Sequence, residues 1–248
     1  MRKLSNALPS APRGERFDAW WACQGSWVEE PNQRRGGVSG VKILQQGDPR
    51  QPILYCKRQT GHLYHSLRHP LGRPTILREH QAYESFLGLG ITVPQVVYCE
   101  ARKQRGQWQA LLITEALGEG FTSLDRWYEN TPAHKLDAPV HHAILRELGT
   151  TLARLHLSRW QHGCCYPKHL FVKIQPPESE NARIEIALLD LEKSRRRWRV
   201  RDAARHDLGQ LWRHRGTMRE VAGTCCRRPT IAPWPAQVQE HDRRATPR

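Results

Sequence analysis

The 248-residue chain carries 39 lysines and arginines against 24 aspartates and glutamates, a net charge of +15, with 38% hydrophobic and 25% charged residues. That length can bury a real core, as one large domain or two small lobes, and the composition is that of a soluble globular protein. No apolar run approaches the roughly 20 residues that span a bilayer as a helix, and the basic start "MRKLSNALPSAPRGERFD" has no apolar stretch behind it, so no secretory signal is expected and the expected location is cytoplasmic.

The first half reads mainly as strands. "GGVSGVKIL" (36–44) and "PILYCKRQ" (52–59) flank the turn-rich "QQGDPRQ" and predict a hairpin, with Lys57 at the end of its second strand. Gly37 and Gly40, in "RRGGVSGV", suit either a loop folding over phosphates or an ordinary hairpin turn. After a basic loop, "RPTILREHQAYESFLGLG" predicts a helix with Pro74 in its first turn and Gly88 and Gly90 at its end. Two further strands follow, "TVPQVVYCEAR" and "WQALLITEAL", with "KQRG" turning between them. "EALGEGF" (115–121) then reads as a junction.

The second half changes character. "HHAILRELGTTLARLHLSRW" (141–160) places Ile144, Leu148, Leu152 and Leu155 on one helical stripe beside Leu145. The loop "HGCCYPKHLFVK" (162–173) follows, then the alternating strands "HLFVKI" and "RIEIALLDLE" across "QPPESEN", and a last helix through "AARHDLGQLWRHRGTMREVAG". The expectation is therefore an α+β protein of two lobes, a β-rich one over 17–116 and an α-rich one over 117–226. A basic, Pro-rich tail over 227–248 reads as disordered. The seven cysteines are odd in number and form no CxxC pair, which points to reduced, semi-buried thiols. The run "KSRRRWRVR" (193–201) is either a solvated basic face or a nucleic-acid arm.

Several residues could carry chemistry. Glu79 falls within the arc of Ile76, Tyr83, Phe86 and Leu87, so it faces the core, where a carboxylate is costly unless a cation meets it. Lys57 is the cation on offer, though by itself it also reads as an ordinary edge lysine. A Lys–Glu pair of this kind holds nucleotide phosphates in kinase-type enzymes. Loops of the form His-x-Asp, with Asn five residues later, carry the catalytic base of such enzymes. Here His162 keeps its place, Cys164 stands at the Asp position and His169 at the Asn position. Asp190, leaving the apolar strand "IALLD", suits either a Mg²⁺ ligand or a turn cap. Asp207 reads as an acceptor of backbone N–H bonds, from its own helix or a neighbouring loop.

The stretches "FDAWWACQGSWVEEPNQRRGGVSGV", "HSLRHPLGRPTILRE", "HGCCYPKHLFVK" and "LLDLEKSRRR" resemble the InaA-like branch of the lipopolysaccharide kinase (Kdo/WaaP) family, over residues 17 to about 215. The resemblance implies a protein-kinase-like fold and ATP-dependent phosphorylation of a sugar hydroxyl in a lipopolysaccharide core. It further implies that Lys57 and Glu79 form the nucleotide pair, that Asp190 is the aspartate for Mg²⁺, and that Glu115 lies in an adenine-facing hinge. Active core kinases of this family carry Asp where Cys164 stands. A neutral thiol is a poor base, and His169 is an acceptable metal ligand but not one that Mg²⁺ favours. Two readings therefore stand. One is a kinase of an anionic sugar acceptor, without a membrane span and meeting the inner-leaflet surface through its arginines; the other is a nucleotide-binding or stress-response partner protein without transfer activity. Nucleic acid is the weaker partner, since no recognised binding module accompanies the charge.

Overall fold

The computed structural model describes residues 13–28, 30–34, 36–44, 50–67, 69–131, 138–175 and 183–214. The expected turn over 45–49, the loop over 176–182, the last helix beyond 214 and the tail over 227–248 lie outside the described residues. The chain divides into two compact units, Met1–Tyr83 with Pro94–Leu117, and Glu84–Val93 with Gly118–Arg248.

The first unit is built on an antiparallel sheet. Its strands are β1 (Gly25–Trp27), β2 (Asn32–Arg34), β3 (Gly37–Leu44), β4 (Leu54–Thr60), β7 (Val96–Gln104) and β8 (Gln107–Glu115), in the order β1-β3-β4-β8-β7 with β2 pairing β3. Helix α1 (Arg13–Ala22) covers one face, where Phe17 and Trp20 pack with Leu44, Leu54, Cys56, Leu111 and Ile113. The strand period of two then decides what the other face receives. With Leu54 and Cys56 turned toward α1, Lys57 and Gln59 point the opposite way. Lys57 lies mid-strand, paired in register with Val41 and Leu112, rather than at the strand end expected for it.

Helix α2 (Thr75–Gly88) starts one residue after Pro74 and meets that second face. The Gln59 Oε1 atom accepts from Thr75 Oγ1 at 2.9 Å and from the Ile76 N–H at 3.2 Å, which satisfies a donor of the helix start. Ile76, Glu79, Ala82, Tyr83 and Phe86 are buried, whereas Leu87, penultimate in the helix, is exposed. The stretch expected as a basic loop is a hairpin of β5 (Leu63–Ser66) and β6 (His69–Pro74). Its cross-strand pairs, such as Tyr64 edge-on to His69, hold it without a buried apolar face, so hydropathy gave no sign of it.

The second unit holds α3 (Leu124–Asn130), the long α4 (Ala138–Leu157) and α5 (Val200–Arg213). With them is a small antiparallel sheet of β9 (Thr122–Ser123), β11 (Leu170–Gln175) and β12 (Arg183–Leu188), ordered β12-β11-β9. Ile144, Leu148, Leu152 and Leu155 are the buried stripe of α4, and Leu145 is only partly covered. The run 193–201 is part of the fold and not an arm. Lys193 ends a 3-10 turn, Arg195–Arg196 (β13) pair with Trp160–Gln161 (β10), and Val200 opens α5, leaving Trp198 exposed. The five cysteines among the described residues are free thiols.

Candidate functional site

In the first unit, the Lys57 Nζ atom donates to Glu79 Oε2 at 2.7 Å, with the carboxylate almost wholly buried and the ammonium partly so. The geometry follows from two periods: β4 turns Lys57 away from the α1 core, and α2 turns Glu79 onto the same face one helical turn beyond the Gln59 contact. Gly37 and Gly40 are strand residues, and their small size serves packing. A Cβ on Gly37 would strike the backbone at Gly61 and His62, and one on Gly40 would meet the Trp27 ring at 2.6 Å. Glu115 is the last residue of β8; its N–H donates to Gln95 O at 2.9 Å and that of Ala116 to Ile53 O at 2.7 Å, two residues before the chain passes into the second unit.

In the second unit, the loop after β10 is fastened by one face of α5. Asp207 accepts from the backbone N–H groups of His162 (2.7 Å) and Gly163 (3.0 Å), and also pairs with His156 Nε2 at 2.9 Å. Burial opposes ionisation of Asp207, but these hydrogen bonds outweigh it and hold its carboxyl below the ordinary range. One turn on, Gln210 accepts the Cys165 N–H at 2.9 Å and donates to Gly163 O at 3.1 Å. The Ser194 hydroxyl donates to His162 O at 2.8 Å. Asp207 was legible in the sequence as an acceptor of backbone N–H bonds. Gln210 and Ser194 were not, since nothing local in the sequence marks which loop a helix amide or a turn hydroxyl will meet.

Gly163 sits at φ +84, and a Cβ there would run into the Lys193 carbonyl. Gly163→Ala is therefore expected to cost about 2–3 kcal/mol of stability, from left-handed backbone strain plus a clash with main chain that cannot swing aside. The midpoint of chemical denaturation of the full chain checks this, and an unchanged midpoint would contradict the geometry.

The loop brings three expected residues together and buries two of them. His162 is fully buried; burial pushes its imidazole down to about 4, against the charges of Asp207 and Asp190, so the ring is neutral. Its Nδ1 faces the Cys164 N–H at 3.2 Å. That contact ties the ring to the loop backbone. Cys164, expected at the rim, is 2% exposed. Its thiol is pushed up to about 11, chiefly by burial and then by the negative charge of Asp190. Asp190 lies in the left-handed region (φ 55, ψ 61), a costly conformation for a residue with a side chain, and its carboxylate is 3.6 Å from His169 Nδ1. His169 Nδ1 also lies 2.9 Å from the Cys164 carbonyl. A carbonyl only accepts, so in this contact Nδ1 carries a proton. One ligand atom each from Cys164, His169 and Asp190 lies within 4.8 Å of the others.

As a holder of Mg²⁺ this set fits at Asp190, a half-exposed hard oxygen ligand, and needs no second protein carboxylate when phosphates complete the shell. The thiol and the imidazole are not donors that Mg²⁺ favours.

Comparison with known proteins gives three results. The family model described as lipopolysaccharide kinase (Kdo/WaaP) family matches residues 18–225. Protein InaA of Escherichia coli (strain K12) is 42% identical over 197 residues, which is 79% of this chain and 87% of that protein. Among solved structures, the chain titled "WaaP in complex with acyl carrier protein" is similar with a TM-score of 0.63 at 18% identity, covering 98% of this chain and 99% of that one. The last likeness shows the fold, which is protein-kinase-like with a sheet-rich N-terminal part and a helical C-terminal part.

Proposed function

The chain belongs to the lipopolysaccharide kinase (Kdo/WaaP) family, and from that membership we propose an ATP-dependent phosphotransferase that acts on a sugar hydroxyl of a lipopolysaccharide-like acceptor. The observation that carries the reading is the buried Lys57–Glu79 pair. A carboxylate in that position costs stability unless a cation meets it, and the pair presents an ammonium held in one place. When bound, the Mg²⁺ complex of ATP supplies the transferred phosphoryl group and neutralises part of its charge. Lys57, steadied by Glu79, meets phosphate oxygens, and Asp190 offers its carboxylate to the cation. Gly37 and Gly40, which keep the β3 backbone close to its neighbours, would lie on the phosphate side of a bound nucleotide, and the backbone at Glu115 would serve its adenine. Cys164, protonated at neutral pH, takes no proton from the acceptor. The chain's contribution is positioning and charge, which phosphoryl transfer tolerates better than most chemistry. The exposed Arg195, Arg196 and Trp198 suit an anionic, partly apolar acceptor or an inner-leaflet surface met peripherally from the cytoplasm. Among the described residues no helix is long and apolar enough to cross a membrane.

The same Cys164 thiol supports a second reading, a nucleotide-binding partner protein without transfer. ATP turnover with and without a lipopolysaccharide-core acceptor separates the two, together with calorimetry of nucleotide binding in Mg²⁺. On the first reading, acceptor-dependent turnover falls at least ~10³-fold in Asp190→Ala, the scale of a lost charge-stabilising group. Turnover equal in parent and variant sinks the assignment of Asp190. Binding without turnover leaves the partner-protein reading.

A further inference from the structure

We propose that Cys164, His169 and Asp190 form a zinc site, and that zinc held there excludes the Mg²⁺–nucleotide complex from Asp190; the second half rests on the phosphotransferase reading above. The three side chains place a sulfur, a nitrogen and a carboxylate oxygen within 4.8 Å of one another. Zinc takes that mixture of donors, whereas Mg²⁺ prefers oxygen throughout. Zinc bonds of about 2.0–2.3 Å in tetrahedral geometry put the donors roughly 3.5 Å apart. The set therefore needs to draw in by about one ångström, within reach of side-chain rotation.

The frame that carries the donors is already fastened. Asp207 and Gln210 clamp the backbone on both sides of Cys164, at Gly163 and Cys165. The Leu189 N–H donates to His169 O at 2.9 Å, which ties the segment bearing Asp190 to the residue it must meet. The His169 nitrogen that faces the Asp190 carboxylate, at 3.6 Å, is Nδ1, so a metal taken there replaces its bond to the Cys164 carbonyl and leaves the ring proton on Nε2. Lys193 also reaches the Cys164 thiol, but it is exposed and can turn to solvent. Three protein ligands leave a fourth position open, as in zinc sites that take a water or an outside ligand. Both metals would use the Asp190 carboxylate, so they compete.

The test uses the full chain, stripped by a chelator and titrated with Co²⁺ as the spectroscopic stand-in for zinc. The expected result is one Co²⁺ per chain with a thiolate-to-cobalt charge-transfer band and tetrahedral d–d absorption, both displaced by Zn²⁺. Cys164→Ser should abolish the band and weaken Zn²⁺ binding at least ~100-fold, beyond the loss from an outer-shell partner. Cys165→Ser and the double change Cys225→Ser with Cys226→Ser should keep both. If Cys164→Ser does not fold by circular dichroism, Asp190→Asn, at a half-exposed side chain, reads the same loss of affinity. A missing band, or one that survives Cys164→Ser, overturns the site. Calorimetry of Mg²⁺–nucleotide binding with and without Zn²⁺ reads the competition. A cobalt band in a chain that binds no nucleotide would leave the metal site standing and remove the phosphotransferase reading. Nucleotide binding with no cobalt band would do the reverse.

Discussion

Asp207→Ala is expected to lower the folding stability of the full chain by about 3–5 kcal/mol. The carboxylate is fully buried and is the shared acceptor for the N–H groups of His162 and Gly163 and for His156 Nε2. Its removal strands several buried donors at once, each worth about 1–3 kcal/mol, with the sum reduced because they share one acceptor. The effect depends on pH. The folded-state carboxyl is held below its ordinary value, so its contribution is fully present above the unfolded-state value near ~3.9 and is lost as pH falls through the folded one. The gap between parent and variant should thus be widest above about pH 5 and shrink at lower pH. Denaturant midpoints at pH 7 and pH 3.5, with slopes compared, check both statements. A loss below about 1 kcal/mol at pH 7 would mean that water or a neighbour replaces the acceptor.

Cys164→Asp is expected to raise transfer to a lipopolysaccharide-core acceptor by about 10²–10⁴-fold, the usual range for general-base assistance. With the thiol pushed up to about 11, only about one molecule in ten thousand carries a thiolate at pH 7. On the phosphotransferase reading the parent works without a base at this position, and the introduced carboxylate would orient the acceptor hydroxyl and take its proton. Cys164→Ala is the companion variant. A rate within about threefold of the parent shows that the thiol fills space, whereas a 10²-fold loss would show that it does proton chemistry after all. Unchanged nucleotide affinity in Cys164→Asp with no turnover would favour the partner-protein reading.

What the sequence by itself determined are the features written in local periods. The β3–β4 hairpin, the buried stripe of α4 and the inward turn of Glu79 follow from alternation of two or 3.6 residues. The Lys57–Glu79 contact follows from the cost of burying a carboxylate alone, so residues 22 apart could be paired on paper. The fold was legible too, through four stretches that resemble one family. Local period could not show the β5–β6 hairpin, whose strands have no buried face, or the reason for Gly37 and Gly40, which is the backbone at Gly61 and His62 and the ring of Trp27. Nor could it show that Cys164 is buried and not at a rim, or that 193–201 is pinned as a turn, a strand and a helix start. The clamp of Asp207 and Gln210 on the loop 162–165 joins residues some 45 positions apart. Such contacts are decided by how helix α5 packs against that loop, because a buried backbone donor takes whatever acceptor the tertiary fold brings within about 3 Å.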